Sequence, residues 1–542
     1  MRRVWFALGQ MQMFSRVHIL KVSAIVIGGA LVATSLALAL TRQGTSLFSQ
    51  RTRRVLNSNQ QAKDILRTGD ELKAALKMAQ PGDTLVLEAG ATFEGPITLP
   101  LKSGAEYITI RSSAENVLPA AGIRVTPANA GAMPKIISLG RGEPALKTSP
   151  GAHHFRFVGI EFKPSDSSAL VYDLLQLGDG ARTQNRLDLV PHHLIFDRCY
   201  IHGDPKGTLK RGVALNSAHT EIINSYISEC KIKGQDTQAI AGWNGPGPFR
   251  IENNYLEAAG ENVLFGGADP AIPNLVPSDI EFRKNHVFKP LSWRGVWTVK
   301  NLFELKNAQR VKIDGNQFEN NWGDAQNGVA ILFTPRNQEN TAPWTVVRDI
   351  EFTNNILRHV ASAFNILGRD NNYPSGITTN IRIHNNLIYD VDGKRWSGHG
   401  FGILFSGGGG EEIRITNNTM ITGYKGLQFE VSSQKVNGLS VLNNIMNHIG
   451  GGSEVGGAAL NDAVDKWDVR RNIIIGVWPN QPHPPDNLFP PSSSGFDVLG
   501  FANIAADDYQ LTARSPYKKV GTDGRSIGCD LDALNAARSV SR

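Results

Sequence analysis

The stretch IRIHNNLI, residues 381–388, joins a short alternating apolar run to an Asn-Asn pair and a second apolar run. The same phrase recurs as FRIENNYL at 249, IEFRKNHVF at 280, VKIDGNQF at 311, IEFTNNIL at 350, IRITNNTM at 413, LSVLNNIM at 439 and WDVRRNII at 467. With the second Asn as marker, the series is Asn254, Asn285, Asn316, Asn355, Asn386, Asn418, Asn444 and Asn472, spaced by 31, 31, 39, 31, 32, 26 and 28 residues. Ile160, Cys199 and Ser225 carry the register backwards through FRFVGIEF, LIFDRCYI and EIINSYIS. A period of this size marks a chain built of stacked supersecondary units.

Each unit reads as strand, polar turn and strand, as in NNLIYDVD at 385 followed by GFGILFSG at 400–407. None shows the 3.6-residue period of a helical repeat. The reading is therefore all-β: a right-handed parallel β-helix of about ten coils, because crossovers between parallel strands are right-handed, with inward Ile, Leu, Val and Phe forming one continuous core. An Asn fixed at one turn position tolerates left-handed backbone and bonds the next coil through its amide. The recurrent Asn residues are accordingly read as an internal ladder rather than as metal or sugar ligands. On these residues the chain resembles the pectin-lyase-like right-handed parallel β-helix proteins from about residue 70 onward. The resemblance implies the fold; function lives in sites grafted on it.

Residues 1–54 contain Arg2, Arg3, Arg16, Lys21, Arg42, Arg51, Arg53 and Arg54 and no acidic residue, so the net charge of +7 falls to −1 over residues 55–542. The basic balance belongs to the leader and gives no reason to expect nucleic acid. Val22 to Leu40 is an uncharged apolar run behind positive charge, the pattern of an export signal, with Ala37-Leu38-Ala39 as a cleavage site. Left uncleaved, its 19 residues would span a bilayer. Either way the coils are expected outside the cytoplasm, with membrane contact only through residues 22–40.

Residues 55–105 read as an N-terminal cap and first strand. Asp70 to Gln80 is expected as a capping helix with Asp70 as N-cap and Leu72, Ala75, Leu76 and Ala79 on one face, since an open strand stack must cover its edge. Residues 106–478 read as the coils and 479–542 as a Pro-rich loop and second cap. Cys199, Cys230 and Cys529 cannot all pair, and no zinc spacing is present; a Cys199–Cys230 disulfide is an open option. The sequence leaves the oligomeric state open as well.

Chemistry is sought in the segment 300–338. In LFELK, Phe303 and Leu305 match inward positions, so Glu304 and Lys306 point outward. The equivalent outward residues, read as Ala214 and Asn216, Leu264 and Gly266, Ala330 and Leu332, and Asn365 and Leu367, are mostly small or apolar. A charged pair on so bland a face suggests a groove floor. The connections 244–248, 267–278, 289–298, 319–327, 336–346 and 369–379 are expected on one side of it, carrying Trp293, Arg294, Trp297, Trp322, Trp344 and Tyr373, with Trp243 and Trp396 nearby. Aromatic faces pack on sugar rings; the same Trp residues would equally pin loops to the coils.

Gly398-His399-Gly400 is present without the paired carboxylates that inverting hydrolysis needs, and RSPYKK at 514–519, the nearest match to the pectate lyase Arg-x-Pro-x-x-Arg pattern, ends in Lys, lies in the C-terminal segment and is read as chance. Lys306-Asn307 followed by Arg336 resembles, in part, the Lys-Ser and later Arg of the chondroitinase B and alginate lyase family (polysaccharide lyase family 6). Asn stands in place of Ser, and the interval of 30 residues is long. The resemblance implies β-elimination of a uronate polymer, with Lys306 as base, Arg336 as carboxylate clamp or proton source, and Ca²⁺ held by Glu304 with Glu261 and Asp269 or Asp236. Two alternatives stand beside it: a non-catalytic carbohydrate-binding or envelope protein, and a glycoside hydrolase.

Overall fold

The computed structural model describes residues 65–539 apart from 409, 431, 478–479 and 492–494. The leader and its apolar run 22–40 lie outside the described residues. Each coil gives one strand to each of three parallel sheets of 14, 13 and 13 strands. One coil runs Ser278–Arg283 in the first sheet, His286–Phe288 in the second and Phe303–Leu305 in the third. The next coil is paired in register, with Ile280 opposite Val311, Val287 opposite Phe318 and Phe303 opposite Ile331. Alternate side chains turn inward, so Ile280, Phe282, Val287, Phe303 and Leu305 join one core that extends from Leu72 to Ile474. The chain is a right-handed parallel β-helix.

Its strands make about thirteen coils rather than ten, because the first coils lack the Asn phrase by which the repeat is recognised. Ile65–Leu66 already pairs with Thr84–Leu87 in the first sheet, so the coils begin well before residue 106.

The corner between the first and second sheets is two residues long on coil after coil, and the two divide the work. The residue before each marker takes the left-handed conformation: Gly159, Arg198, Asn224, Asn253, Lys284, Gly315, Asn354, Asn385, Asn417, Asn443 and Arg471 all have φ between 53° and 68°. The marker itself carries the ladder. The backbone N–H of Asn254 donates to Asn285 Oδ1 (2.9 Å), that of Asn285 to Asn316 (2.8 Å), that of Asn316 to Asn355 (2.8 Å) and that of Asn355 to Asn386 (2.8 Å). The series continues through Asn418, Asn444 and Asn472 to Asn487. Each amide also donates into the coil behind, as Asn386 does to Phe352 O at 2.9 Å. Asn254 through Asn472 are buried, and a buried amide satisfied on both sides is costly to lose.

The capping helix spans Gly69–Met78 and buries Leu72 and Leu76. Its N-cap is Thr68 rather than Asp70: the Thr68 side chain takes the Glu71 N–H while the Glu71 carboxylate takes the Thr68 N–H. At the far end the last coil is closed by a helix the sequence pattern did not announce, Gly456–Ala463, which buries Ala459 and Leu460. Of the C-terminal segment, Asn487 and Leu488 extend the end of the stack against Asn472 and Ile473; the rest takes another course. It runs back along the side of the stack: the Thr522 N–H donates to Asn443 Oδ1, the Asp530 N–H to Asn385 Oδ1 and Arg538 Nη2 to Gln317 Oε1. Tyr509 and Leu534 pack there on Leu387 and Tyr389. All three cysteines are free, and burial pushes the Cys199 thiol up to about 12.

Candidate functional site

The third sheet departs from this regularity. Its outward row reads Leu264, Glu304, Leu332, Asn365, Leu404 and Gln428 in successive coils. Two residues on, a second row holds Gly266, Lys306, Thr334, Leu367, Ser406 and Glu430. Leu332 and Thr334, rather than Ala330 and Leu332, therefore neighbour the charged pair. The long connections do not lie on one side. Those at 289–302, 322–328 and 392–402 lead into the third sheet, whereas 266–277, 334–346 and 368–378 lead out of it. Rising on both flanks of the strands, they turn the sheet face into a groove. A space of about 780 Å³ lies in it, lined by Lys306, Arg336, Asn371, His399, Phe401, Tyr424 and Glu430 among others.

Glu304 projects outward but is covered, only 2% exposed; Lys306 Nζ lies 3.5 Å from its Oε1 and Asn301 Nδ2 donates to its Oε2 at 3.1 Å. Lys306 remains partly exposed in the groove. Arg336 is fixed at both ends of its chain. Its N–H donates to Lys306 O at 2.9 Å, while Nη1 reaches Asp370 Oδ1 at 2.5 Å and Asn371 Oδ1 at 2.6 Å. Asp370 in turn takes the Asn337 N–H at 2.8 Å. The predicted pair Lys306 and Arg336 thus does come together on the floor and rim of one groove.

The calcium ligand set does not. Glu261 is fully buried in the coil before Glu304, takes a hydrogen bond from Gln238 Nε2 at 2.7 Å and lies 3.3 Å from Lys300 Nζ, which also holds Asp236 at 2.6 Å. Burial first, then the charge of Glu304, pushes the Glu261 carboxyl up. Asp269 spends its carboxylate on the connection 338–341, accepting from the N–H groups of Gln338, Glu339 and Thr341. Among the described residues no three carboxylates bring oxygens within 4.8 Å of one another. With lysines already on Glu261 and Glu304 and amides on Asp269, these residues do not fit a calcium site.

The tryptophans hold the connections in place, and none of them is among the residues lining the groove. Trp293, Trp322 and Trp396 are buried with Ala259, Val299 and Ala361 in a small core of their own, and Trp297 packs against it. Long connections of this length need such a satellite core to hold their shape. Trp243 donates from Nε1 to Gly180 O at 3.0 Å beneath the Arg211 guanidinium, and Trp344 ties its connection to Leu275 O. Arg294 is exposed and bonds Arg395 O and Ser397 Oγ, joining two inbound connections. The aromatic groups that do line the groove are Phe401, Tyr424 and His399, the last stacked on Phe401 at 5.9 Å. Of these only Gly398-His399-Gly400 had a signal in the sequence, where it stands without the paired carboxylates of a hydrolase.

The class this architecture defines is that of the right-handed parallel β-helix proteins. No known family profile matches the chain, and no curated protein matches it. Among solved structures, a PL6 family alginate lyase, AlyGC, is similar with a TM-score of 0.47 and 11% identity; the match covers 86% of this chain and 58% of that one. PfbA, a surface adhesin of Streptococcus pneumoniae, gives 0.44 and 11% over 71% and 86%. Pectate lyase Pel9A gives 0.32 and 11% over 83% and 85%. This chain thus spans little more than half the length of the alginate lyase. Likenesses this distant say nothing of the site.

Proposed function

We propose that the groove on the third sheet binds an acidic polysaccharide and cleaves it by β-elimination at a uronate residue. The observation that carries the reading is the placement of Lys306 and Arg336, joined through the 2.9 Å bond between the Arg336 N–H and Lys306 O, in one open groove whose other floor residues are largely apolar or neutral. A uronate carboxylate pairs with the Arg336 fork, whose Asp370 and Asn371 contacts are made by Nη1, leaving Nε and Nη2 for the substrate. That pairing acidifies the proton α to the carboxylate. Lys306 as the base takes the α proton; the electrons form the ring double bond, the C–O bond to the next sugar breaks, and the departing oxygen gains a proton from His399, which also lines the groove. No step passes through calcium.

A non-catalytic binding role is favoured by one feature: Lys306 and Arg336 are already paired with Glu304 and Asp370. The deciding experiment incubates the protein with a panel of uronate polymers and follows the ultraviolet absorbance of unsaturated ends. Accumulation that disappears in Lys306→Arg supports elimination, because a guanidinium keeps its proton. Saturable binding with no absorbance change in any polymer places the protein in the binding class.

A further inference from the structure

A second cluster lies away from the groove, at the start of three strands of the first sheet. His153–Val158, His192–Asp197 and Ala218–Ile223 are stacked in successive coils, with His153 opposite His192 and His192 opposite Ala218. Neighbouring side chains in a strand ordinarily point to opposite faces. Here His154, His193 and His219 take φ of 59°, 54° and 44°, and this left-handed step breaks the alternation. The rings of His153 and His154 fall on the same side, with Nδ1 atoms 2.7 Å apart; His192 and His193 repeat the arrangement at 2.6 Å.

Coil stacking then sets one pair on the other. His153 lies over His192 with centroids 4.7 Å apart, His154 over His193 at 4.4 Å, and His193 over His219 at 4.5 Å. Ligand nitrogens of His154, His192 and His193 all lie within 4.8 Å of one another, and the three rings are half-buried. No acid is needed to explain the cluster, and the groove does not use it. Burial and the mutual proximity of the rings hold His154, His192 and His193 below the usual imidazole range, so they present lone pairs at neutral pH.

We propose that His154, His192 and His193 form a binding site for a divalent transition ion of the zinc, nickel and copper group, which imidazole nitrogens select over calcium or magnesium. Metal–nitrogen bonds of about 2.0–2.1 Å fit between the rings once the short Nδ1 contacts open slightly as the shared proton leaves. Three protein ligands leave a further position for water or for a second molecule's ligand.

The test is titration of the untagged full-length protein with Zn²⁺, by calorimetry, and with Co²⁺, by its visible absorption. One equivalent is expected to bind. Substitution with Asn keeps the left-handed backbone, since Asn380 stands at the same column in a later coil with φ 54°. His154→Asn and His193→Asn should each weaken Zn²⁺ binding by at least ~10-fold, the lower end of what even outer-shell changes cost a metal site, with the metal-free melting temperature unchanged. Undiminished binding by the double variant, or no binding by the parent, overturns the site.

Discussion

The corner between the first and second sheets and the outer face of the third are parts of the same coils, yet they behave oppositely. At the corner each coil from Asn254 to Asn472 spends two residues, one left-handed and one in the Asn ladder. On the third sheet the outward residues change identity from coil to coil, and the flanking connections differ in length by more than ten residues. Regularity at the corner lets each coil template the next, so departures elsewhere are tolerated. A mutation at the corner should therefore be felt as stability and one on the third sheet as activity.

The largest expected effect lies in the groove. Because Glu304 is covered, removing the Lys306 side chain would strand a buried carboxylate; Lys306→Arg preserves the ion pair and removes only the base. It should lower elimination by about 10²- to 10⁴-fold while the melting temperature holds, and a variant of full activity would erase the contrast. Next comes Trp322→Ala. If Trp322 is a pin in its satellite core, denaturant unfolding should show a loss of ~3–5 kcal/mol; a loss of polymer affinity with stability intact would instead make its ring a sugar-binding face.

Asn386→Ala sharpens the other side of the comparison. It removes donors to Phe352 O and Asn418 Oδ1 and the acceptor of the Asn355 N–H, for an expected ~1–3 kcal/mol and unchanged turnover per folded molecule. The smallest effect concerns Glu257, on the second sheet just past the ladder. Burial pushes its carboxyl up to about 7, while it accepts from Tyr255 Oη and the Glu229 N–H. A carboxyl raised above its unfolded value stabilises most below pH ~4.5, and that contribution is lost as pH rises toward 7. Glu257→Gln, which mimics the protonated form, should gain about 1 kcal/mol on the parent between pH 5 and pH 6. A pH-independent difference would rule the mechanism out.

The sequence alone determined the architecture. A marker repeated at Asn254 through Asn472, flanked by alternating apolar residues, admits only a stack of β coils, because periodic pattern and backbone pairing are local properties that each coil repeats. It also placed Lys306 and Glu304 on the outer face and Arg336 near them. It could not say that Glu304 would be covered, that Asp269 would hold the connection 338–341, or that the tryptophans would bury one another. Those outcomes depend on where connections of unequal length fold down, which no period encodes. The three His coils were equally hidden: His-His dipeptides read as alternating residues until left-handed backbone at His154 and His193, and the stacking of one coil on the next, bring their rings together. Period fixes what every coil shares; only tertiary packing decides which of the unshared side chains meet.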